Sequence, residues 1–471
     1  MVTARSQGFA AALGAGAALL TILNYWGFTV DDALISARVA HHLHDGAGYR
    51  FNLEGPVVDA VTPLGWAFLL APFAKTPLAA LQAARVLGAL CFLGVGAVLG
   101  HQMAKLGRTP WRFCPLLLLA LCAPLGAWAV AGMETGLVIA LCTVAVLETP
   151  LAPYALFIAV FARPELLPWA FSLQLGLALI GPRRPALVLS RAALPWLAVA
   201  LAASLRFFVF GRAAPLAMLA KPADWADGVR YLLGALLLSG PPWLLLGRVT
   251  RISPRLRVLA VAGAVHFLAM GMAGGDWMPF FRLVSPVLPG LLLVAAAVAE
   301  QSSRVANALR LAVASLVCLA AIWTHAAAAR GVMTQRLQLV QALNGFVQPH
   351  EPIITLDAGW VGAATSATLH DVSGVTDPDL AGLPGGHTSK RLPDDFLARR
   401  WERTGSLVLV LLAAPNAELR EPWYQIPFDR VVEQRLALQA RKLEATAESA
   451  EWLALQGTRK HYIAVRLRPV R

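Results

Sequence analysis

The stretch FAAALGAGAALLTILNYWGFTV, residues 9–30, runs directly into Asp31-Asp32-Ala33-Leu34-Ile35-Ser36-Ala37-Arg38, and this junction decides how the chain is read. From Phe9 to Val30 only Thr21, Asn24 and Thr29 break the apolar pattern. The length suits a membrane span of about 20 residues, and no convincing cleavage site follows, so the segment reads as a retained anchor rather than a signal peptide. Two adjacent carboxylates at a membrane boundary are costly to strip of water. They therefore mark a site rather than a requirement of the fold.

Composition points the same way. Of 471 residues, 58% are hydrophobic and only 14% charged, with a mean hydropathy of +0.61. An ordinary globular domain carries about 25% charged residues. The chain thus reads as an integral membrane protein. Its net charge of +13 sits mostly in short loops between apolar runs, which topology explains better than a nucleic-acid partner does. The five cysteines, Cys91, Cys114, Cys122, Cys142 and Cys318, lie inside apolar stretches with no CxxC or Cys/His spacing. They read as small core side chains, outside any disulfide framework or zinc site.

Spans can be placed near 9–29, 82–104, 113–131, 134–150, 187–209, 229–247, 257–273, 283–300 and 306–328. The apolar stretch 151–181 is interrupted by Ala162-Arg163-Pro164-Glu165. Reading it as a hairpin of two short segments, 151–162 and 165–181, puts four basic loops on one side: Lys105/Arg108/Arg112, Arg183/Arg184, Arg248/Arg251/Arg255/Arg257 and Arg304/Arg310. That is the positive-inside arrangement, and it gives about eleven membrane segments. The long loops with unusual residues then face outward, so chemistry is expected on the extracytoplasmic side. Residues 1–329 form the membrane module, with a first outer loop at 30–81. Residues 330–471 read as a small soluble α/β domain: a helix from Val332 to Val347 and strands at 352–356, 367–372, 406–412 and 461–467. No stretch there is apolar for long enough to span.

Several constellations fall on the outer side. Asp31 or Asp32, partly desolvated, suits a general base; capping of the next helix is the competing reading. Residues 34–43 can form an amphipathic helix on the membrane surface, and Pro63 opens a short apolar helix ending near Pro72. His41, His42 and His44 lack a clear third ligand and read as interfacial side chains rather than a metal site. Gly274-Gly275-Asp276-Trp277-Met278-Pro279 precedes Arg282, whose planar fork suits phosphate; a tight turn with an interfacial Trp is the alternative. Arg163 and Glu165 either pair at the hairpin or bring a cation to a phosphate. Lys221 is a further candidate cation, against a solvated loop lysine. In the tail, His370-Asp371-Val372-Ser373-Gly374-Val375-Thr376-Asp377-Pro378 runs into Gly385-Gly386-His387-Thr388-Ser389-Lys390, a polar loop either shaped around something or simply solvated.

Taken together these segments resemble the GT-C glycosyltransferases. The bearing residues are Asp31-Asp32-Ala33-x-Ile35, Arg38, Gly46-x-Gly48 before Phe51-Asn52, and Thr62-Pro63-Leu64-x-Trp66. They are joined by Arg163-Pro164-Glu165, Ala220-Lys221, Gly274 to Pro279 with Arg282, and the tail elements Gly374-Val375-Thr376-Asp377-Pro378 and Gly386-His387-x-x-Lys390. The likeness, strongest to the terminal arabinofuranosyltransferase of the mycobacterial cell wall and its bacterial relatives, spans Asp31 to about Phe396. The chain departs from that pattern at Leu34, at Val58-Asp59-Ala60-Val61 and at Ser389. The resemblance implies a multi-pass enzyme of the bacterial inner membrane with a periplasmic active site. It would take a sugar, arabinofuranose among the candidates, from a polyprenyl-phosphate donor to a glycan or glycolipid hydroxyl of the cell envelope. Asp31 and Asp32 would be catalytic. Arg38, Arg163, Glu165, Lys221, Asp276, Trp277 and Arg282 would bind substrate, with His387 and Lys390 closing the site. No metal ligand is assigned, although adjacent carboxylates could work with or without magnesium or manganese. The rivals are a transporter, a polymerase or ligase for lipid-linked sugars, and a non-catalytic glycan-binding membrane protein. A transporter would place its ionisable groups near mid-membrane in two pseudo-symmetric halves.

Overall fold

The computed structural model describes residues 4–181, 185–220, 225–239, 249–348, 351–420, 422–443, 451–456 and 460–467. The chain is mostly helical. Labels used below are α1 (Ala4–Tyr25), α2 (Asp31–His44), α3 (Pro77–Lys105) and α4 (Arg304–Phe346). Among the described residues five helices are long and apolar enough to cross a membrane: α1, α3, Pro185–Phe210, Pro254–Met272 and α4. A sixth is Pro110–Leu121 with Ala123–Val130, if that pair, bent by 53°, counts as one span. Helices at Thr135–Ala145, Ala152–Ala162, Pro164–Ile180 and Ser285–Glu300 are apolar but shorter. The eleven expected segments are therefore not all spans by length. The segment expected at 229–247 lies partly outside the described residues. The interruption at Arg163 is present, as a break between two short helices.

Two further expectations need correction. The last span and the helix of the tail are one unbroken helix, α4, of 43 residues. No Pro lies between the apolar and polar parts to end it, and the single glycine there, Gly331, stays within the helix. The burial of helix α2 is not confined to one apolar face, since every residue from Ala33 to Ala40 is buried.

Two compact units make up the chain: residues 1–29, 82–204 and 223–331, and residues 30–81, 205–222 and 332–471. In the first, α1 and α3 meet backbone to backbone. A Cβ on Gly14 would stand 1.9 Å from the Gly96 carbonyl oxygen, and one on Gly100 1.9 Å from that of Ala10. Such small-residue seams suit membrane helices, where packing rather than water exclusion holds elements together. Hydroxyls pin the end of α1: Thr21 Oγ1 donates to the Leu119 carbonyl at 2.6 Å, and Thr29 Oγ1 to that of Ala131 at 2.8 Å. The chain leaves this unit one residue before α2 begins.

The second unit contains a five-stranded sheet in the order β2-β1-β3-β5-β4. Its strands are β1 (Ile353–Thr355), β2 (Leu369–Asp371), β3 (Leu407–Leu412), β4 (Glu451–Gln456) and β5 (His461–Leu467). β1 runs parallel to β2 and β3, while β5 is antiparallel to β3 and β4. Central β3, Leu-Val-Leu-Val-Leu-Leu, is buried on both faces, as its unbroken apolar run requires. Helices α5 (Ala358–Ala364) and α6 (Val431–Lys442) flank it in sequence. Strands β1, β2, β3 and β5 fall where the periodicity puts them; β4 was not anticipated.

The α1–α3 seam yields a graded test. Gly96→Leu and Gly100→Val force backbone apart and should each cost about 1–3 kcal/mol or more. Gly94→Leu, whose Cβ meets open space, should be tolerated. Thermal unfolding in detergent checks this, and equal losses in all three variants would refute the seam.

Candidate functional site

Each unit carries a cluster of charged side chains. In the second unit the centre is Asp31, in the first turn of α2. Its half-buried carboxylate accepts two backbone N–H bonds, from Gly359 to Oδ2 at 2.9 Å and from Trp360 to Oδ1 at 2.8 Å. These are open donors of the first turn of α5. Gly359 is required here by close approach, since a Cβ would stand 2.0 Å from the Asp31 carbonyl oxygen. Asp357, just ahead of α5, is ion-paired with Arg430 at 2.7 Å and bonded by the Tyr462 hydroxyl. Arg430 also pairs with Glu433 at 2.7 Å. Arg336 reaches the Tyr462 hydroxyl and stacks on the rings of Trp360 and Tyr462, at 5.4 and 5.0 Å.

Burial and then the neighbouring Asp357 carboxylate push the Asp31 carboxyl up to about 8, against the two N–H bonds that favour its anion. Burial would also raise Asp357, but Arg430 and Arg336 outweigh it and hold that carboxyl below the usual range. Burial pushes Glu433 up to about 7 despite Arg430. The two aspartates near α5 thus have opposite proton affinities, an arrangement that equips one of them to exchange a proton.

In the first unit the cluster is Glu134, Arg163, Glu165, Asp276 and Arg282. Arg163 bridges Glu134 at 3.0 Å and Glu165 at 2.6 Å and also bonds the Thr135 hydroxyl at 3.0 Å. Arg282 pairs with Asp276 at 2.8 Å and lies over the Trp128 ring. Two guanidiniums thus face three carboxylates. Glu134 Oε2 and Arg282 Nε are buried without a hydrogen-bond partner among the described residues. The loop that delivers Asp276 and Arg282 is strained, with Phe280 and Phe281 at φ of 61° and 50°. Trp128 Nε1 holds it by donating to the carbonyls of Pro279 and Phe280, at 3.2 and 3.0 Å. Trp277 is 56% exposed.

Other sequence-selected residues turn inward. Arg38 is 1% exposed and donates to four backbone carbonyls: Phe51, Gly362, Thr365 and Ala367. It stitches α2 to the segment after α5. Lys390 is fully buried, with Nζ on the carbonyls of Ala381 and Leu383. It secures the tail loop from within. Asp371, also fully buried, gathers Ser373 and Thr376 through their N–H and hydroxyl groups. His387 is half-buried in the same loop. His41, His42 and His44 each place Nδ1 on a backbone carbonyl, of Ala74, Arg50 and Ala71. Lys221 lies outside the described residues. Among those described, no group of three or more His, Cys, Asp or Glu is arranged to hold a metal ion.

The sequence reading passed over Glu134, Asp357, Arg430 and Tyr462 as site residues. It also missed the buried pair of Asp59 with Arg206 at 3.0 Å. An isolated charge in an apolar run was the available signal for Glu134 and Arg206. Nothing local distinguishes Asp357 or Arg430.

The fold matches end to end the crystal structure of ArnT from Cupriavidus metallidurans bound to undecaprenyl phosphate. The TM-score is 0.56 over 98% of this chain and 98% of that one. At 12% sequence identity the likeness is one of fold. No protein-family model and no curated protein matches the chain.

Arg38 gives the sharpest structural test. Arg38→Met leaves four carbonyls without their donor and should destabilise the protein by at least about 3 kcal/mol. A substrate ligand would instead leave thermal stability intact and weaken only binding.

Proposed function

We propose that the chain is a membrane glycosyltransferase. It would move a sugar, arabinofuranose among the candidates, from a polyprenyl-phosphate donor to a hydroxyl of a cell-envelope glycan or glycolipid on the extracytoplasmic face of the inner membrane. The observation that carries this reading is the full-length fold shared with a protein that binds undecaprenyl phosphate. The Asp31-Asp32 pair, placed where the sequence resemblance puts catalytic acids, supports it.

In this reading the acceptor hydroxyl attacks the anomeric carbon as the bond from that carbon to the phosphate oxygen breaks. The hydroxyl proton passes to an Asp carboxylate, and the polyprenyl phosphate departs with the bonding electrons. Direct displacement inverts the anomeric centre. Asp31 is oriented by the N–H groups of Gly359 and Trp360, and Asp32 adjoins it on α2. Arg163, Arg282 and Lys221 are the cations proposed for the departing phosphate, with Glu165, Asp276 and Trp277 for the donor. Arg163 is already engaged by two carboxylates and Arg282 by one, so Arg282, whose Nε has no partner among the described residues, is the stronger of the two.

Purified protein should transfer sugar from at least one member of a panel of arabinofuranosyl, mannosyl, glucosyl and aminoarabinosyl lipid phosphates. Asp31→Asn and Asp32→Asn should abolish transfer in protein that remains folded. Full activity in both would overturn the assignment. A base whose proton affinity is raised is ionised only as pH climbs, so the rate should rise with pH toward about 8 if Asp31 takes the proton. Residual transfer by Asp31→Asn without that rise would place the proton on Asp31; residual transfer that keeps the rise would rule Asp31 out.

A further inference from the structure

Helix α5 has an acid at its own N-cap position and does not use it. Asp357 stands there with φ −91° and ψ 62°, and its side chain makes no capping bond. The N–H groups it could cap are taken by Asp31, from 328 and 329 residues away. A cap ordinarily comes from the residue next to the helix, which need only fold its side chain back over the first turn. For a distant carboxylate to win, the near one must be held elsewhere. Arg430 holds it at 2.7 Å, and Arg430 is itself fixed by Glu433, whose Oε1 also accepts the Leu412 N–H at 3.0 Å. The Tyr462 hydroxyl provides the second restraint and is in turn bonded by Arg336.

We infer that Arg430 is a positioning residue for Asp31: with Tyr462 it restrains Asp357, which leaves the first turn of α5 open so that the Asp31 carboxylate takes both N–H groups. The inference rests on the proton-accepting role proposed for Asp31 and explains how that carboxylate is aimed. The charged groups facing Asp31 are Asp32 on its own helix, Asp357 ahead of α5, and Arg336 on α4. The short helices packed on α2, Trp66–Leu70 and Ala71–Phe73, bring no ionisable side chain.

Rescue separates this role from simple support. Arg430→Gln releases the Asp357 carboxylate, which can then cap α5 and displace Asp31, so transfer should fall at least about tenfold. In the double variant Asp357→Ala/Arg430→Gln nothing competes for the cap, and the rate should return to within about threefold of the parent. A double variant as poor as Arg430→Gln would overturn the inference.

A second readout needs no activity. Because the folded-state proton affinity of Asp31 is raised, its contribution to stability is full at low pH and is lost as pH rises toward about 8. This part is isolated by comparing melting temperatures with and without Asp31→Asn across pH 5–9 in detergent. In Asp357→Ala the loss should be smaller and finish at lower pH, because a like charge is gone. Curves that superimpose on the parent would again overturn the inference. Altered curves in a protein that transfers no sugar would keep the positioning role and reject the glycosyltransferase reading.

Discussion

A carboxylate at the edge of an apolar span must find donors or give up its charge, and Asp31 finds them on the backbone of α5. The two N–H bonds from Gly359 and Trp360 fix the start of α2 against the segment that carries the C-terminal sheet. Around that contact the second unit is arranged. Gly359 has no side chain because the Asp31 backbone occupies the space, Arg38 ties the same two segments a turn further on, and Asp357 is turned aside. Each of these would be a defect without the others: an unpaired guanidinium, an uncapped helix, a buried acid.

The charged clusters of the two units solve the same problem differently. In the first unit guanidiniums and carboxylates neutralise one another, as side chains near a membrane interior generally must. Arg163 between Glu134 and Glu165 is the plainest case. The shortfall is informative: among the described residues Glu134 Oε2 and Arg282 Nε have no partner, where buried polar atoms normally have one. In the second unit the central acid is satisfied by peptide dipoles rather than by a counter-ion, so Asp31 can gain or lose a proton without breaking an ion pair.

Much of this was legible in the sequence, and the part that was not has a physical reason. Strand β3 declares itself because a run of six large apolar residues suits a doubly buried strand. The break at Arg163-Pro164 is equally plain, since proline cannot donate into a helix. Strand β4 hid because Glu451, Leu453, Ala454 and Gln456 are good helix formers, and only pairing with β5 makes them a strand. Arg38 and Lys390 mark a different limit of the sequence. A motif shows that a cation is present, but not whether it meets a ligand or the carbonyls of a segment hundreds of residues away. Asp357 was invisible because its importance lies in a bond it does not make.

The separation between Asp31 and its donors also sets a clock. A chain made at about 5–20 residues per second takes roughly 15–65 s to extend across the 328 residues between them. During that interval α1 can already be seated, while the carboxylate beyond it is served only by water and lipid headgroups. The contact between α2 and α5 is thus made late, and a chain cut short before residue 359 would hold α1 and α2 without the donors that Asp31 uses.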